Sequence, residues 1–349
     1  MCELFGLCSN KDVSISFSWH GFVKRGRKHR DGWGVAWYVP KFYRGKYIGM
    51  GVALVKEPRP SVSSPVAKLL EHGIRSNIVI SHVRLATSGE PSYVNTHPFV
   101  RLLNGVEWVF AHNGSVEGVK SIKLTYYHPA GETDSEHAFC YIMDNLIGIG
   151  EAELFENILN IVNDVSDYGS FNFLMSNGTY LFAHTNDGRL YYLLRHPPHR
   201  GYARLIDDED FRIHLGEMKS DDEFATLIAT KPLTDENWIQ MDLEKLYVFR
   251  DGDLVLKVGY EGMEVMLSDL DVDVLKIVRS SPHAVKLSEI ADSLGVDVEE
   301  VSNIVQSLVA RNYLKKHSRD KVPSDHPDAR YFTKEDKREL IDLMIKVGK

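Results

Sequence analysis

Apolar positions along the chain fall mainly into short runs of the β type. Residues 3–9 make an apolar segment ending in polar residues, and 32–39 (GWGVAWYV) make a β-rich run closed by Pro40. Further runs of this kind occupy 47–56, 77–85, 106–111, 171–176, 180–184, 190–195, 224–229 and 246–258, the last folded about an Asp251-Gly252 turn. Helical patterns interrupt them at 64–72, 134–146 and 151–165, the last with apolar residues at Leu154, Ile158, Leu159, Ile161 and Val162. Alternation of strand, helix and strand is scarce, so the pattern predicts an α+β fold with large antiparallel sheets.

Near Gly262 the texture becomes rich in Asp, Leu and Val. Helices are predicted at 271–279, at 286–294 and, after a Gly295 turn, at 297–314 with Lys315-Lys316 at its end. Three helices with a turn before the third describe a helix-turn-helix. The polar stretch 317–330 would be a wing, Tyr331-Phe332 a returning strand and 334–346 a last helix. This resembles a small C-terminal winged helix-turn-helix domain and divides the chain into 2–264 and 268–349.

Composition narrows the class. A chain of 349 residues, 43% hydrophobic, can build the core of two domains. A net charge of −8 argues against wholesale binding of polyanions, although Lys24-Arg25-Gly26-Arg27-Lys28-His29-Arg30 is a candidate local contact patch. Cys2, Cys8 and Cys140 form no CxxC pair, which favours a reducing compartment, with the cytoplasm as the expected location. No apolar run suits a membrane span and no signal-peptide pattern opens the chain. The 15 His include His82, His97, His112 and His137, but without an HExxH or paired short spacing no metal is expected, and no cofactor either.

The chemistry gathers in the first 140 residues. Removing Met1 would leave Cys2 with a free α-amine, placing a thiol that titrates near ~8.5 beside an amine that titrates near ~7.7–8. Pairing a nucleophile with the N-terminal amine is an established way to activate it; the alternative is a small apolar residue. In HVRLATSG (82–89), Arg84 at a strand end suits a carboxylate, or else a structural ion pair. In Ala111-His112-Asn113-Gly114, a side-chain amide followed by an unobstructed N–H could put two donors on an oxyanion, whereas Asn-Gly is also a common tight turn. In ETDSE (132–136), Asp134 could receive an ammonium, while Thr133 and Glu136 have the spacing of a helix cap. RDGWGVA (30–36) is a Gly-bracketed lead into a strand.

Taken in order, MCELFG, RDGWGVA, HVRLATSG, NTHPF (95–99), HNG (112–114) and ETDSE resemble the class II glutamine amidotransferases, a family of N-terminal nucleophile (Ntn) hydrolases. The DGWG element and ATKPLTDENW (229–238) resemble its stand-alone branch rather than the domains fused to synthases. The resemblance covers roughly residues 2–260 and implies a four-layer αββα sandwich. It makes Cys2 the nucleophile, its amine the base, and Asn113 with Gly114 the oxyanion hole. Arg84 would hold the α-carboxylate of glutamine or a γ-glutamyl compound and Asp134 its α-ammonium, with Thr87 and the backbone at His112 lining the pocket. Where the fused enzymes commonly carry His, this chain has Ser88. The implied reaction passes through a γ-glutamyl thioester, releasing ammonia or an amine.

No phosphate-cradling loop follows residue 260, so any acceptor site is expected on another chain, a partner enzyme or a second copy, or else the product is simply released. Residues 268–349 carry 14 Lys+Arg against 15 Asp+Glu, and the third helix there opens with Asp297, Glu299 and Glu300. Those carboxylates disfavour DNA relative to protein docking, against the cluster Arg311, Lys315, Lys316, Arg319 and Lys321. The competing reading is a non-catalytic glutamine sensor acting through the C-terminal domain.

Overall fold

A computed structural model describes residues 2–86, 89–318 and 321–347, with no side-chain placement for Ala152. The described residues divide into two compact units. The first holds most of the chain through Leu254 together with Val258–Tyr260; the second holds the residues from Glu261 onward with Gly150–Glu153 and Val255–Lys257.

The first unit begins with β1 (Glu3–Ser14), α1 (Ser16–Lys24), β2 (Gly32–Tyr43), β3 (Lys46–Glu57), α2 (Pro65–Leu70) and β4 (Arg75–Arg84). It continues through β5 (Phe99–Leu103), β6 (Val106–Ser115), α3 (Asp134–Asn145), α4 (Glu151–Ser166), β7 (Ser170–Ser176) and β8 (Leu181–His184). After these come β9 (Tyr191–Arg195), β10 (Tyr202–Arg204), β11 (Arg212–His214), α5 (Leu215–Met218), β12 (Ala225–Ala229), β13 (Ile239–Gln240) and β14 (Leu246–Arg250). One large sheet has the order β13-β9-β12-β1-β4-β2-β3; the strands of the other that lie wholly in this unit run β14-β8-β7-β6-β5. The pairings are antiparallel.

Alternation along the strands decides what each face meets. Phe5 and Leu7 of β1 point outward with Trp33, Val35, Val79 and Val83, and are covered by Trp19 and Phe22 of α1 and Ala67 of α2. Gly6 points inward, where an added Cβ would come within 2.9 Å of Leu174 Cδ1 on β7, so the absent side chain lets the sheets close. The Tyr38 hydroxyl spans the same gap, donating between the carbonyls of Glu107 (2.9 Å) and Ser176 (2.8 Å). On the far side, Phe139 of α3 stacks on Phe110 of β6 at 4.9 Å and Phe155 of α4 meets Phe182 of β8 at 6.2 Å. The layers are therefore helix, sheet, sheet and helix, the αββα Ntn sandwich.

In the first unit, β2 and α1 differ from the sequence pattern. Pro40 does not close β2, which runs on to Tyr43 with Pro40 opposite Met50; pairing with β4 ends at Trp37, so beyond it β2 has a free side on which a missing N–H costs nothing. The mixed stretch SFSWHGFVK forms α1, because burying Trp19 and Phe22 outweighs its indifferent helix propensity.

β15 (Asp253–Gly259) and β16 (Gly262–Val265) precede the helical part of the second unit: α6 (Asp269–Ser280), β17 (Val285–Lys286), α7 (Leu287–Leu294), α8 (Val298–Ala310), β18 (Leu314–Lys316), β19 (Arg330–Thr333) and α9 (Arg338–Val347). Its small sheet has the order β17-β19-β18. Ser268 and Asp271 form a reciprocal capping box on α6, and Gly295, at φ +68°, ends α7. The third predicted helix stops at Ala310, not Leu314. Asn312 takes a left-handed φ of +68°, which turns the chain so that Leu314-Lys315-Lys316 join the sheet. Arg319 lies outside the described residues.

Candidate active site

Three strands of the first sheet reach the same level together: Glu3 of β1 pairs with Val83, and Gly32 of β2 pairs with Arg84. Cys2 stands just before β1 at this edge. Its sulfur lies 3.4 Å from both the Leu85 carbonyl, to which the thiol donates, and the Leu85 N–H. Burial raises the thiol above the ordinary cysteine range, although the Leu85 hydrogen bond and the nearby Arg84 charge act the other way. A thiol in this setting starts protonated and needs a base to attack.

Arg84 is buried at the end of β4 and donates to the carbonyls of Gly89 (2.8 Å) and Glu90 (3.4 Å). Its charge is felt by Cys2 and by Asp31. Asp31 clamps the strand end from both sides: its N–H donates to the Arg84 carbonyl (3.1 Å) and its Oδ2 accepts from the Ala86 N–H (2.7 Å). Thr87 and Ser88 lie outside the described residues.

The facing sheet contributes the end of β6. His112, Asn113 and Gly114 pair with Phe173, Asn172 and Phe171 of β7, so Asn-Gly is here strand and not a tight turn. The Asn172 amide N–H donates to the Asn113 carbonyl (2.8 Å), while its own oxygen accepts from the Thr185 hydroxyl (2.5 Å). Asn113 Oδ1 is buried and has no hydrogen-bond partner among the described residues, so this side chain is not consumed by the fold. At Gly114 an added Cβ would run into the Ser170 carbonyl and come within 2.7 Å of His112 Nε2.

His112 itself is buried, its Nδ1 2.8 Å from the Ser135 hydroxyl and its Nε2 3.2 Å from the Ser170 carbonyl. Burial lowers its pKa, and both ring nitrogens are engaged, so its side chain braces β6 against α3 and β7. Asp134, the first residue of α3, accepts from the Val116 N–H through Oδ2 (2.7 Å) and from the Ser135 N–H through Oδ1 (2.9 Å). A carboxylate has further lone pairs for a cation. The capping arrangement is only half formed: Thr133 accepts from the Glu136 N–H, but the Glu136 carboxylate turns to Arg101 (2.6 Å) and to the N–H groups of Ala130 and Gly131.

A pair of buried imidazoles lies behind these edges. The His82 and His97 rings are 4.3 Å apart, and none of their nitrogens has a hydrogen-bond partner among the described residues. Burial, with Arg84 and His112 nearby, takes His82 down to about 3, and burial likewise holds His97 well below the ordinary range, so both rings stay neutral. Strands β1 and β4 of the first sheet lie against β6 of the second, so the two halves of the site face one another. The structure thus gathers Cys2 with Arg84 at the edge of one sheet and His112, Asn113 and Gly114 on the other, with Asp134 at the start of α3 tied to Val116 just after β6. Sequence reasoning missed Asp31 and Asn172 as supports; Asp31 had the DGWG context as a signal, Asn172 had none.

Residues 1–272 match the family described as Glutamine amidotransferases class-II. Protein MJ1515 of Methanocaldococcus jannaschii is 40% identical over 364 residues, covering 99% of this chain and 97% of that one. YafJ of Escherichia coli, named provisionally as a glutamine amidotransferase, is 39% identical over 68% of this chain and 93% of its own. A crystal structure from Pseudomonas aeruginosa, described as a predicted glutamine amidotransferase, matches with a TM-score of 0.53 and 29% identity over 73% of this chain and 99% of that one.

Proposed function

The chain belongs to the class II glutamine amidotransferases, and on that premise we propose that Cys2, freed of Met1, attacks the side-chain amide of glutamine or of a γ-glutamyl compound. The observation that carries this reading is the pairing of a half-buried thiol held at the Leu85 backbone with the charge of the nearby Arg84 guanidinium. A thiol kept protonated by burial needs a base at hand, and the α-amine of Cys2 itself would supply one. That amine takes the thiol proton as sulfur adds to the amide carbon. It then delivers the proton to the leaving nitrogen, so ammonia or an amine departs and a γ-glutamyl thioester remains. Water, activated by the same amine, cleaves the thioester to glutamate and restores the thiol.

Negative charge on the amide oxygen would be met by the Asn113 side-chain N–H and the Gly114 backbone N–H; one such donor is typically worth ~3–4 kcal/mol. Arg84 would take the α-carboxylate and Asp134 the α-ammonium, with Thr87 and the His112 backbone lining the pocket. The bracing of β6 supports this assignment by holding the Asn113-Gly114 segment rigid without consuming the amide. We assign the second unit, from the order α6-β17-α7-α8-β18-β19 within it, to the winged-helix class; its acidic α8 opening favours a protein partner over DNA. The acceptor for ammonia, if one is served, would then sit on a partner chain or a second copy. Among the described residues no helix is long and apolar enough to cross a membrane.

Intact-mass spectrometry before and after 6-diazo-5-oxo-norleucine tests the reading. Loss of one Met and a single adduct on Cys2 is the expected result. Retained Met1 and no adduct would overturn it in favour of a glutamine sensor.

A further inference from the structure

The second unit contains a cavity of about 470 Å³ bounded by the end of α6, the loop after it, β19 and the start of α9. Its ionisable lining is Arg279, His283, His317, Arg330 and Arg338, and among the described residues no Asp or Glu lines it. That concentration is local, because residues 268–349 as a whole carry 15 acidic against 14 basic side chains. Five basic side chains from separate segments therefore converge on one concavity in an otherwise acidic unit.

Two atoms there are unsatisfied. Arg279 donates through one terminal nitrogen to Asp342 at 2.8 Å, but its Nε is buried with no hydrogen-bond partner among the described residues, and so is His317 Nδ1. Buried polar atoms are nearly always partnered, so unpaired nitrogens on two residues that line one cavity are what a bound polar group would satisfy. Guanidinium groups match the oxygens of phosphate better than any other side chain, and the volume lies in the range of small-molecule sites.

We propose that this cavity binds a small phosphorylated molecule, its phosphate oxygens taken by Arg279, Arg330 and Arg338 and its less polar part set against Phe332. A nucleic-acid backbone fits less well. The helix that would enter a groove, α8, contributes nothing to the lining and begins with Asp297, Glu299 and Glu300. The site is independent of the glutamine chemistry of the first unit.

Isothermal titration of the full chain with inorganic phosphate, ADP, adenosine and a short DNA duplex tests the assignment. Saturable binding of phosphate and ADP, without adenosine binding, is expected. Arg330→Ala and Arg338→Ala should each weaken ADP by about tenfold, the usual cost of one charge-assisted bond. Both side chains are exposed, so circular dichroism should show the fold retained. A separate cavity in the first unit is lined by Lys24, Arg25, Arg27 and Lys28, and Arg27→Ala/Lys28→Ala there should leave the affinity as it was. Absence of saturable phosphate and ADP binding, loss of it only in Arg27→Ala/Lys28→Ala, or duplex binding that ADP does not displace would each overturn the proposal.

Discussion

Glu3→Gln tests how the nucleophile's strand is anchored. The Glu3 carboxylate is buried one residue from Cys2 and accepts from Arg25 (2.9 Å), the Thr230 hydroxyl (2.5 Å) and Lys231 (3.1 Å), with His29 at 3.5 Å. Burial alone would raise its pKa, but the His29 bond, the Arg25 charge and the Thr230 and Lys231 bonds outweigh it and bring it down to about 2, from an ordinary 4.5. At ~1.4 kcal/mol per pH unit, that gap contributes about 3 kcal/mol to folding. Because the folded pKa is the lower one, this stability is complete above about pH 5 and drains away as pH falls towards 2. Glu3→Gln should therefore cost about 3 kcal/mol at pH 7 and progressively less below pH 5. Urea unfolding followed by tryptophan fluorescence measures it on the right unit, since all five Trp precede residue 239. A difference between variant and parent that stays constant from pH 7 to pH 3 would refute the electrostatic account. Labelling of Cys2 by 6-diazo-5-oxo-norleucine at pH 7 should also slow, because Glu3 fixes the start of β1.

Other substitutions separate binding from catalysis. Asn113→Ala should lower kcat for glutamine hydrolysis by ~10²–10³-fold with little change in KM, and a change confined to KM would reject the oxyanion role. Arg84→Lys keeps the charge but loses the planar fork, so KM for glutamine should rise about tenfold or more while adducts still form at saturating reagent; an unchanged KM would remove Arg84 from substrate recognition. Asp31→Ala strands the Ala86 N–H and releases the clamp on Arg84, with an expected cost of ~1–3 kcal/mol in unfolding and a slower labelling of Cys2. Wild-type labelling in that variant would show that the strand end holds without it.

The strands and the family were legible because their signals are local. Alternating apolar positions marked β4, β7 and β12 within a residue or two, and short motifs in fixed order marked Cys2, Arg84, His112, Asn113 and Asp134. Helix α1 was not legible, because Trp19 and Phe22 are ordered by the outer face of a sheet assembled from distant segments. Asn172 supports Asn113 only through the β6–β7 register, which no spacing in sequence expresses. The bracing by the His112 side chain was not legible for the same reason: HNG marks the strand end, but only the fold brings Ser135 and Ser170 to both ring nitrogens.

Strand β1 lies between β4 and β12, and the Leu4 N–H donates to the Thr230 hydroxyl. Strand β1 is thus fixed by partners made about 225 residues later. At ~5–20 residues per second that leaves about 10–45 s in which the N-terminus is exposed before its sheet can close around it. The Met1 removal proposed above would have its opportunity in that interval, before the second sheet neighbour encloses the start of β1.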